Sequence, residues 1–442
     1  MKQLLIYAFI LCLAPQLSAQ IPSEVISEID KRVATDNYPS IVIGYYKDGK
    51  ASYYAAGYQD EENKTKASEE TLYEIGSISK TFTSLLLAKL ATENKLTIED
   101  PIARYLPDTL KLKDKAGTEI TFRHLSTHTS GLLRLPFGYN PDNWSNPYLG
   151  YHRDNLFLYL SNFEPGEVGT TNSYSNLAVG LLGETLAIIE DVPYKTLIQE
   201  QILNPLGLQH TYFEIPEDQQ VNFAIPYAKG KAVSSWEFDV LAPAGALRAD
   251  IKDLISYGVS YLNKHELSEA QAMTTQQHFE IEEGRSMGLA WFKDKNRIFH
   301  GGGTGGFLTH LEIDIENNAV AAVMTNTADN NASDLVSYIL DPEENPLFNE
   351  ETSVIEISEE ALELYTGNYS NEQFGLNFVV SVINKTLHVK LNSQNAVPAE
   401  YIGNDTFQND KVKAQLLFTM ENGATTALTL SQGGQKIKCK KI

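Results

Sequence analysis

The sequence predicts a mixed α/β domain followed by a smaller, antiparallel β domain. Three observations carry this. The chain has 442 residues, more than one ordinary hydrophobic core covers, so two folded domains are expected. Over most of its length, hairpin-like apolar runs and Gly-rich strand ends alternate with long apolar helical stretches. Beyond the acidic, Pro-containing break Asp341-Pro342-Glu343-Glu344-Asn345-Pro346 the pattern changes to short strands between Asn and Gly turns. The expected boundaries are a first domain over 20–341, a linker over 342–354 and a β-sandwich or barrel over 355–442.

Met1-Lys2-Gln3 gives a short basic start, Leu4 to Leu13 an apolar core, and Leu17-Ser18-Ala19 the small residues of a cleavage site. Residues 1–19 therefore read as a removed signal peptide, and the protein as periplasmic or secreted. Phe9-Ile10-Leu11 before Cys12 does not match a lipid-attachment box. No later run is long and apolar enough for a transmembrane helix. The mature chain keeps only Cys439, so its cores rely on packing without an internal disulfide. Composition is that of a globular protein, 42% hydrophobic and 21% charged, with a formal net charge of −22. That charge argues against nucleic acid and anionic membranes as partners. A small-molecule or peptide substrate, cell-wall derived for instance, is expected instead.

Taken in order, Ile41 to Tyr46 and Ala51 to Gly57 flank Lys47-Asp48-Gly49-Lys50, a hairpin signal. Thr71 to Ile75 reads as extended chain and Phe82 to Leu90 as a helix apolar on nearly every side. Thr121 to Leu208 reads as mostly helical, with a long structured loop over Leu132 to Gly150 and helices over Ser175–Glu190 and Tyr194–Leu203. Asp250 to Leu262 is a further helix. Leu289-Ala290-Trp291-Phe292, Arg297-Ile298-Phe299 and Ala319 to Met324 read as strands. In the second domain, Leu376 to Val380, Thr386 to Leu391 and Gln415 to Met420 are strands.

The stretch Glu74 to Thr81 holds the only Ser-x-x-Lys of the chain, Ser77 to Lys80. Ser77 falls at a helix start, where free N–H groups and the helix dipole favour negative charge. Lys80, three residues on, lies over Ser77 on the same face. A desolvated, neutral lysine amine can take the proton of a serine hydroxyl. Such a pair needs a second proton carrier, an oxyanion hole and a group to orient substrate. Tyr174-Ser175-Asn176 offers the first and third: a tyrosine to shuttle a proton and an amide to grip substrate. Tyr261-Leu262-Asn263 and Tyr369-Ser370-Asn371 have the same pattern, but only Tyr174 lies in the loop-rich helical region. His300-Gly301-Gly302-Gly303 supplies glycines that let backbone approach a ligand, and an edge strand there sets the Gly303 N–H opposite that of Ser77.

In this order the motifs resemble those of serine hydrolases of the class C β-lactamase and penicillin-binding-protein type, including CubicO-type peptidases and esterases. Ser77-Ile-Ser-Lys80 is similar to the first motif and Tyr174-Ser-Asn176 to the second. His300-Gly-Gly302 stands where the β-lactamases have Lys-Thr-Gly. Arg123 to Leu132, Asn204 to Thr211 and Ala242-Pro-Ala-Gly-Ala246 are similar as well, so the resemblance covers about residues 25–340. Leu364 to Tyr369 resembles C-terminal modules of some members. The resemblance implies a β-lactamase-like α/β fold, an antiparallel sheet flanked by helices plus an all-helical subdomain, with the site between them. It implies hydrolysis of amide or ester bonds, in D-amino-acid peptides, short esters or β-lactams, through an acyl-enzyme. Ser77, Lys80 and Tyr174 are then catalytic, the N–H groups of Ser77 and Gly303 form the oxyanion hole, and Asn176, His300, Gly301 and Gly302 bind substrate. No cofactor or metal is required. With histidine in place of lysine, and no compensating charge evident, weak β-lactam hydrolysis and a preference for substrates without a held carboxylate are expected. On the reference histidine pKa of about 6.5, anionic substrates gain as pH falls and His300 protonates.

Two other readings compete. A non-catalytic cell-wall binding or sensing protein on the same fold typically lacks the serine or lysine, and both are present. Gly284-Arg-Ser286-Met-Gly288 is a literal G-x-S-x-G, but its order relative to His300-Gly-Gly-Gly is wrong for an α/β-hydrolase, and a strand follows where an elbow needs a helix. His124 and His128 have metal-ligand spacing on a helix, but no Glu lies between them and no third ligand is evident, so they read as structural.

Overall fold

The first element of the sheet is the hairpin Ser40–Lys47/Lys50–Asp60, closed by Asp48 and Gly49, both at positive φ (52° and 81°). Two such residues make the tight turn whose twist matches that of paired strands. The computed structural model describes residues 20–442 apart from 36–37, 137–138, 142, 346, 348–354, 372–375, 393, 410–413, 422 and 433–434. The expected leader, 1–19, and most of the expected linker lie outside the described residues.

The hairpin opens an antiparallel sheet of nine strands. Their spatial order is Thr65–Lys66, Lys50–Asp60, Ser40–Lys47, Ala319–Thr325, Leu308–Asp314, Arg297–Gly303, Phe292–Asp294, Arg285–Met287 and Phe279–Glu282. Period-two alternation sends Ile41, Ile43 and Tyr45 to one face and Val42 to the other. The first face is covered by helices Ser23–Thr35 and Ser333–Leu340, through Val25, Ile29, Leu335 and Val336. Arg32 joins these helices by a bidentate pair to Asp334 (2.8 and 2.5 Å). Helix Ile251–Ser260 covers the second face, its N-terminus capped by Asp250. It packs so closely that a Cβ on Gly44 would lie 2.6 Å from Ile255.

Beyond that face lies the helical region. Its centre is the helix Ser79–Thr92, with Phe82, Leu85, Leu86, Leu87 and Leu90 buried all round. Polar groups are buried along it too, and these find partners. Thr81 receives the Tyr257 hydroxyl (3.0 Å), Thr83 meets Tyr194 (2.7 Å) and Ser84 meets Ser126 (2.5 Å). Around it lie helices Phe122–Ser126, Arg153–Asn162, Asn176–Glu190 and Tyr194–Ile198, the last continuing as a π-turn through Leu203.

One expected strand is corrected. Leu289-Ala290-Trp291 is a turn, with Ala290 at φ 62° and its N–H donating to the Ser126 carbonyl (3.0 Å). Burial of Trp291 and Leu289 explains their hydrophobicity without a strand; pairing begins only at Phe292. Farther on, eight strands from Gly367–Asn371 to Gln435–Lys441 run in sequence order and close into a barrel through Tyr369↔Lys441 and Ser370↔Lys440. Phe378, Leu387, Phe407, Phe418, Leu428 and Cys439 fill it. Between the two expected forms, sandwich and barrel, closure selects the barrel and leaves no unpaired edge. Among the described residues no helix is long and apolar enough to cross a membrane.

Candidate active site

Strand Arg297–Gly303 is interior in the sheet, not an edge strand as expected, but it outruns its neighbour. Its pairing with Phe292–Asp294 stops at Phe299. Residues 300–303 therefore have one open side, and the turn Gly76–Ile78 packs against them. Gly76 adopts φ 48°, and a Cβ on it would lie 2.7 Å from the Gly303 nitrogen. On Gly302 a Cβ would lie 2.0 Å from the Ile75 carbonyl oxygen. The same carbonyl accepts from Thr309 Oγ1 (3.2 Å), and Ile75 N–H donates to Leu247 (3.0 Å). Two glycines thus let the turn carrying Ser77 meet the strand backbone to backbone.

From this turn the chain runs directly into the buried helix, so Ser77 is in a single 3₁₀ turn ahead of the α-helix proper. Lys80 is fully buried. Its Nζ donates to Ser77 Oγ (2.9 Å) and to the Ala244 carbonyl (2.6 Å), and neither partner is a carboxylate. Burial holds its pKa well below the usual lysine range, and the charge of Arg134 adds to this. The amine is therefore driven toward its neutral, proton-accepting form.

Tyr174 precedes helix Asn176–Glu190, which Ser175 caps through its hydroxyl. The Tyr174 side chain hydrogen-bonds that of Ser77. Lys80 Nζ is 4.8 Å from its ring centroid and Arg134 Cζ 5.1 Å, so the lysine amine and the arginine guanidinium share this ring. Burial raises the phenol above its ordinary pKa, which keeps it protonated and able to donate. The other two Tyr-x-Asn tyrosines are elsewhere: Tyr261 bonds Tyr257 and Trp291, and Tyr369 is in the barrel core. Asn176 directs Nδ2 at the Tyr148 hydroxyl (3.3 Å), while its buried Oδ1 has no partner among the described residues.

His300 is buried. Its Nδ1 is 2.6 Å from the Gly301 carbonyl, which makes Nδ1 the protonated nitrogen and leaves Nε2 a lone pair without a partner among the described residues. Burial, then the neighbouring Lys80, lowers its pKa to about 3. It is neutral throughout the physiological range, so the expected gain for anions between pH 8 and 6 does not arise from it. Gly301 is exposed on the strand and Gly302 is buried against Ile75.

Sequence reading missed three contributors. His128, read only as structural, adopts φ 59° and packs against Tyr174 with the rings tilted (centroids 4.3 Å), its Nδ1 accepting from Ser175 N–H (3.2 Å). The Ala244 carbonyl and the Arg134 guanidinium were not singled out. A carbonyl has no signature in sequence, and Arg134 lies two residues past the motif-like stretch Arg123 to Leu132. His124 takes no part with His128: its ring caps its own helix at Thr121. Ser286 is likewise remote in kind. It is buried on the short strand Arg285–Met287, paired to Lys293 and Glu280, with no helix after it, so the nucleophile-elbow reading fails.

Residues 25–343 match the family model "Beta-lactamase". The chain belongs to the β-lactamase family of serine hydrolases. It is 34% identical over 244 residues to a β-lactamase of Providencia stuartii, covering 54% of this chain and 59% of that one. To a β-lactamase of Pseudomonas fluorescens it is 30% identical over 282 residues, 62% of this chain and 75% of that one. The match therefore spans about three-fifths of the Providencia protein's length. In fold it resembles a β-lactamase/D-alanine carboxypeptidase of Pseudomonas syringae (TM-score 0.64, 23% identity, 73% of this chain and 99% of that one). It also resembles an octameric penicillin-binding protein homologue of Pyrococcus abyssi (TM-score 0.68, 21% identity, 95% and 98%), a span that takes in barrel strands.

Proposed function

We propose that the protein is an exported hydrolase that transfers an acyl group from an amide or ester to water through Ser77. The observation that carries this is the Lys80 amine, buried with no carboxylate partner among the described residues and 2.9 Å from Ser77 Oγ. An ammonium kept merely for structure is normally paired with an anion when buried. In the proposed reaction Lys80 takes the hydroxyl proton as Oγ bonds to the substrate carbonyl carbon. The N–H groups of Ser77 and Gly303 hold the oxyanion. As the bond to the leaving group breaks, Tyr174 gives that group a proton and regains one from Lys80. Water then gives its proton to Lys80, attacks the acyl-serine, and Ser77 recovers its hydroxyl. Lys80 suits the role of base because burial lowers its pKa, and Tyr174 that of donor because burial raises its own.

Asn176 Oδ1 orients a substrate amide, and Gly301 lines the exposed side of the strand. The substrates are D-amino-acid peptides, short esters or β-lactams. Neutral His300 supplies a hydrogen-bond acceptor where a lysine would supply charge. Export rests on the leader-like start, residues 1–19. The test is a panel of these three substrate classes with wild type and Ser77→Ala. At least one class should turn over in the wild type and none in the variant; turnover by Ser77→Ala would refute the reading.

A further inference from the structure

With His300 neutral, the cleft lacks the fixed cation that the third motif ordinarily provides. The sequence gives no sign of a replacement. A second cation is nevertheless present on the opposite, helical side. Arg134 is exposed, and its guanidinium carbon is 5.1 Å from the centre of the Tyr174 ring. Its backbone is fixed: the Arg134 carbonyl accepts from both Asn176 N–H (3.1 Å) and Leu177 N–H (3.2 Å), the first residues of the helix that follows Tyr174. The arginine is thereby tied to the same helix start that carries the proposed proton donor and amide clamp.

Three features mark it as a binding group. It makes no ion pair with any carboxylate among the described residues, and its guanidinium contact is the Tyr174 ring. Stacking on an aromatic face leaves the edge N–H groups of a guanidinium free to form two parallel bonds to a carboxylate. Its charge also reaches the reacting groups, since it acts on Lys80, Tyr174, His128 and Tyr148. In a chain of net charge −22, an unpaired cation at this position offsets a field that otherwise repels anions.

We infer that Arg134 is the carboxylate-binding residue of this enzyme, and that the preferred substrates carry an acidic group held from the helical side of the cleft. This reverses the expectation of a preference for substrates without a held carboxylate. The inference rests on the acyl-transfer reading above and names the substrate class within it.

The test uses matched probes that differ only in charge: mono-p-nitrophenyl succinate and glutarate, each against its methyl ester. The readout is the ratio of kcat/KM for acid to that for ester. Any effect of Arg134 on Lys80 alters both members of a pair and cancels in the ratio. Arg134→Ala should lower the ratio about tenfold or more, Arg134→Lys should retain most of it, and Arg134→Glu should lower it further. In the wild type, raising NaCl from about 0.05 to 0.5 M should lower the same ratio, because the guanidinium is exposed to screening. This arm needs no variant to fold. Ratios unchanged in Arg134→Ala and Arg134→Glu, or flat with salt in the wild type, would overturn the inference. Hydrolysis of the probes by Ser77→Ala would instead count against the acyl-transfer reading.

Discussion

Gly302→Ala should disable the enzyme while its neighbour Gly301→Ala leaves the fold undisturbed. A Cβ on Gly302 would lie 2.0 Å from the Ile75 carbonyl oxygen and 2.4 Å from Thr309 Oγ1, whereas real Cβ atoms essentially never approach nearer than 3.0 Å. The strand and the turn carrying Ser77 must then part by about 1 Å, and the atoms in the way include backbone, which cannot rotate aside. On Gly301 the nearest atom to a Cβ is His310 Nδ1 at 3.6 Å, an ordinary contact. Overpacking of this kind costs about 1–3 kcal/mol of stability. A misplacement of about 1 Å between reacting groups costs on the order of a hundredfold in rate, about 2.7 kcal/mol of barrier. The assay is the rate of Ser77 labelling by a fluorophosphonate, with the thermal midpoint of each variant. Gly302→Ala should be labelled about a hundredfold more slowly, and Gly301→Ala should melt close to wild type. Wild-type labelling by a folded Gly302→Ala would refute the argument that this contact sets the Ser77–Gly303 geometry.

Other expectations follow from the same geometry. Lys80 must be neutral to accept a proton, and its pKa is depressed, so acylation should persist at neutral pH and fall as pH drops through that lowered value; Lys80→Arg, permanently charged, should lose about a thousandfold in kcat/KM. His300 has a folded pKa of about 3 against an ordinary 6.5, so the unfolded chain binds its proton first and stability falls as pH falls below about 6.5. Urea titrations at pH 7 and 5 should therefore show about 2 kcal/mol more loss in wild type than in His300→Gln; equal losses would show that His300 is not held neutral. His300→Lys should raise kcat/KM for carboxylate-bearing substrates relative to neutral esters, and an unchanged ratio would exclude this position from substrate contact. A chain ending near Asp341 should fold and still label at Ser77; an unfolded product would mean that the barrel is required by the first domain.

Much of this was legible because local chemistry and tertiary need agreed. The Asp48-Gly49 hairpin, the Ser175 and Asp250 caps and the all-round apolar helix after Ser79 each follow from their own few residues. Ser77, Lys80, Tyr174 and the His300 strand were legible as a set because their spacing falls at a helix start, a helix cap and a strand end. Trp291 misled because burial, not strand pairing, accounts for its apolar neighbours, and the φ 62° of Ala290 leaves no trace in composition. The depressed pKa of His300 comes from burial that only the assembled cleft creates. Arg134 was invisible for a related reason: an arginine in a loop carries no signal until folding sets it over Tyr174.

The central claim is that Ser77 becomes the acyl-enzyme. The direct measurement is intact mass followed by peptide mapping after reaction with a fluorophosphonate and, separately, with a penicillin, for wild type and Ser77→Ala. The account predicts one adduct per wild-type chain on the peptide containing Ser77, and none on the folded variant. An adduct mapping to Ser286 or another residue, or one that persists in Ser77→Ala, would contradict it.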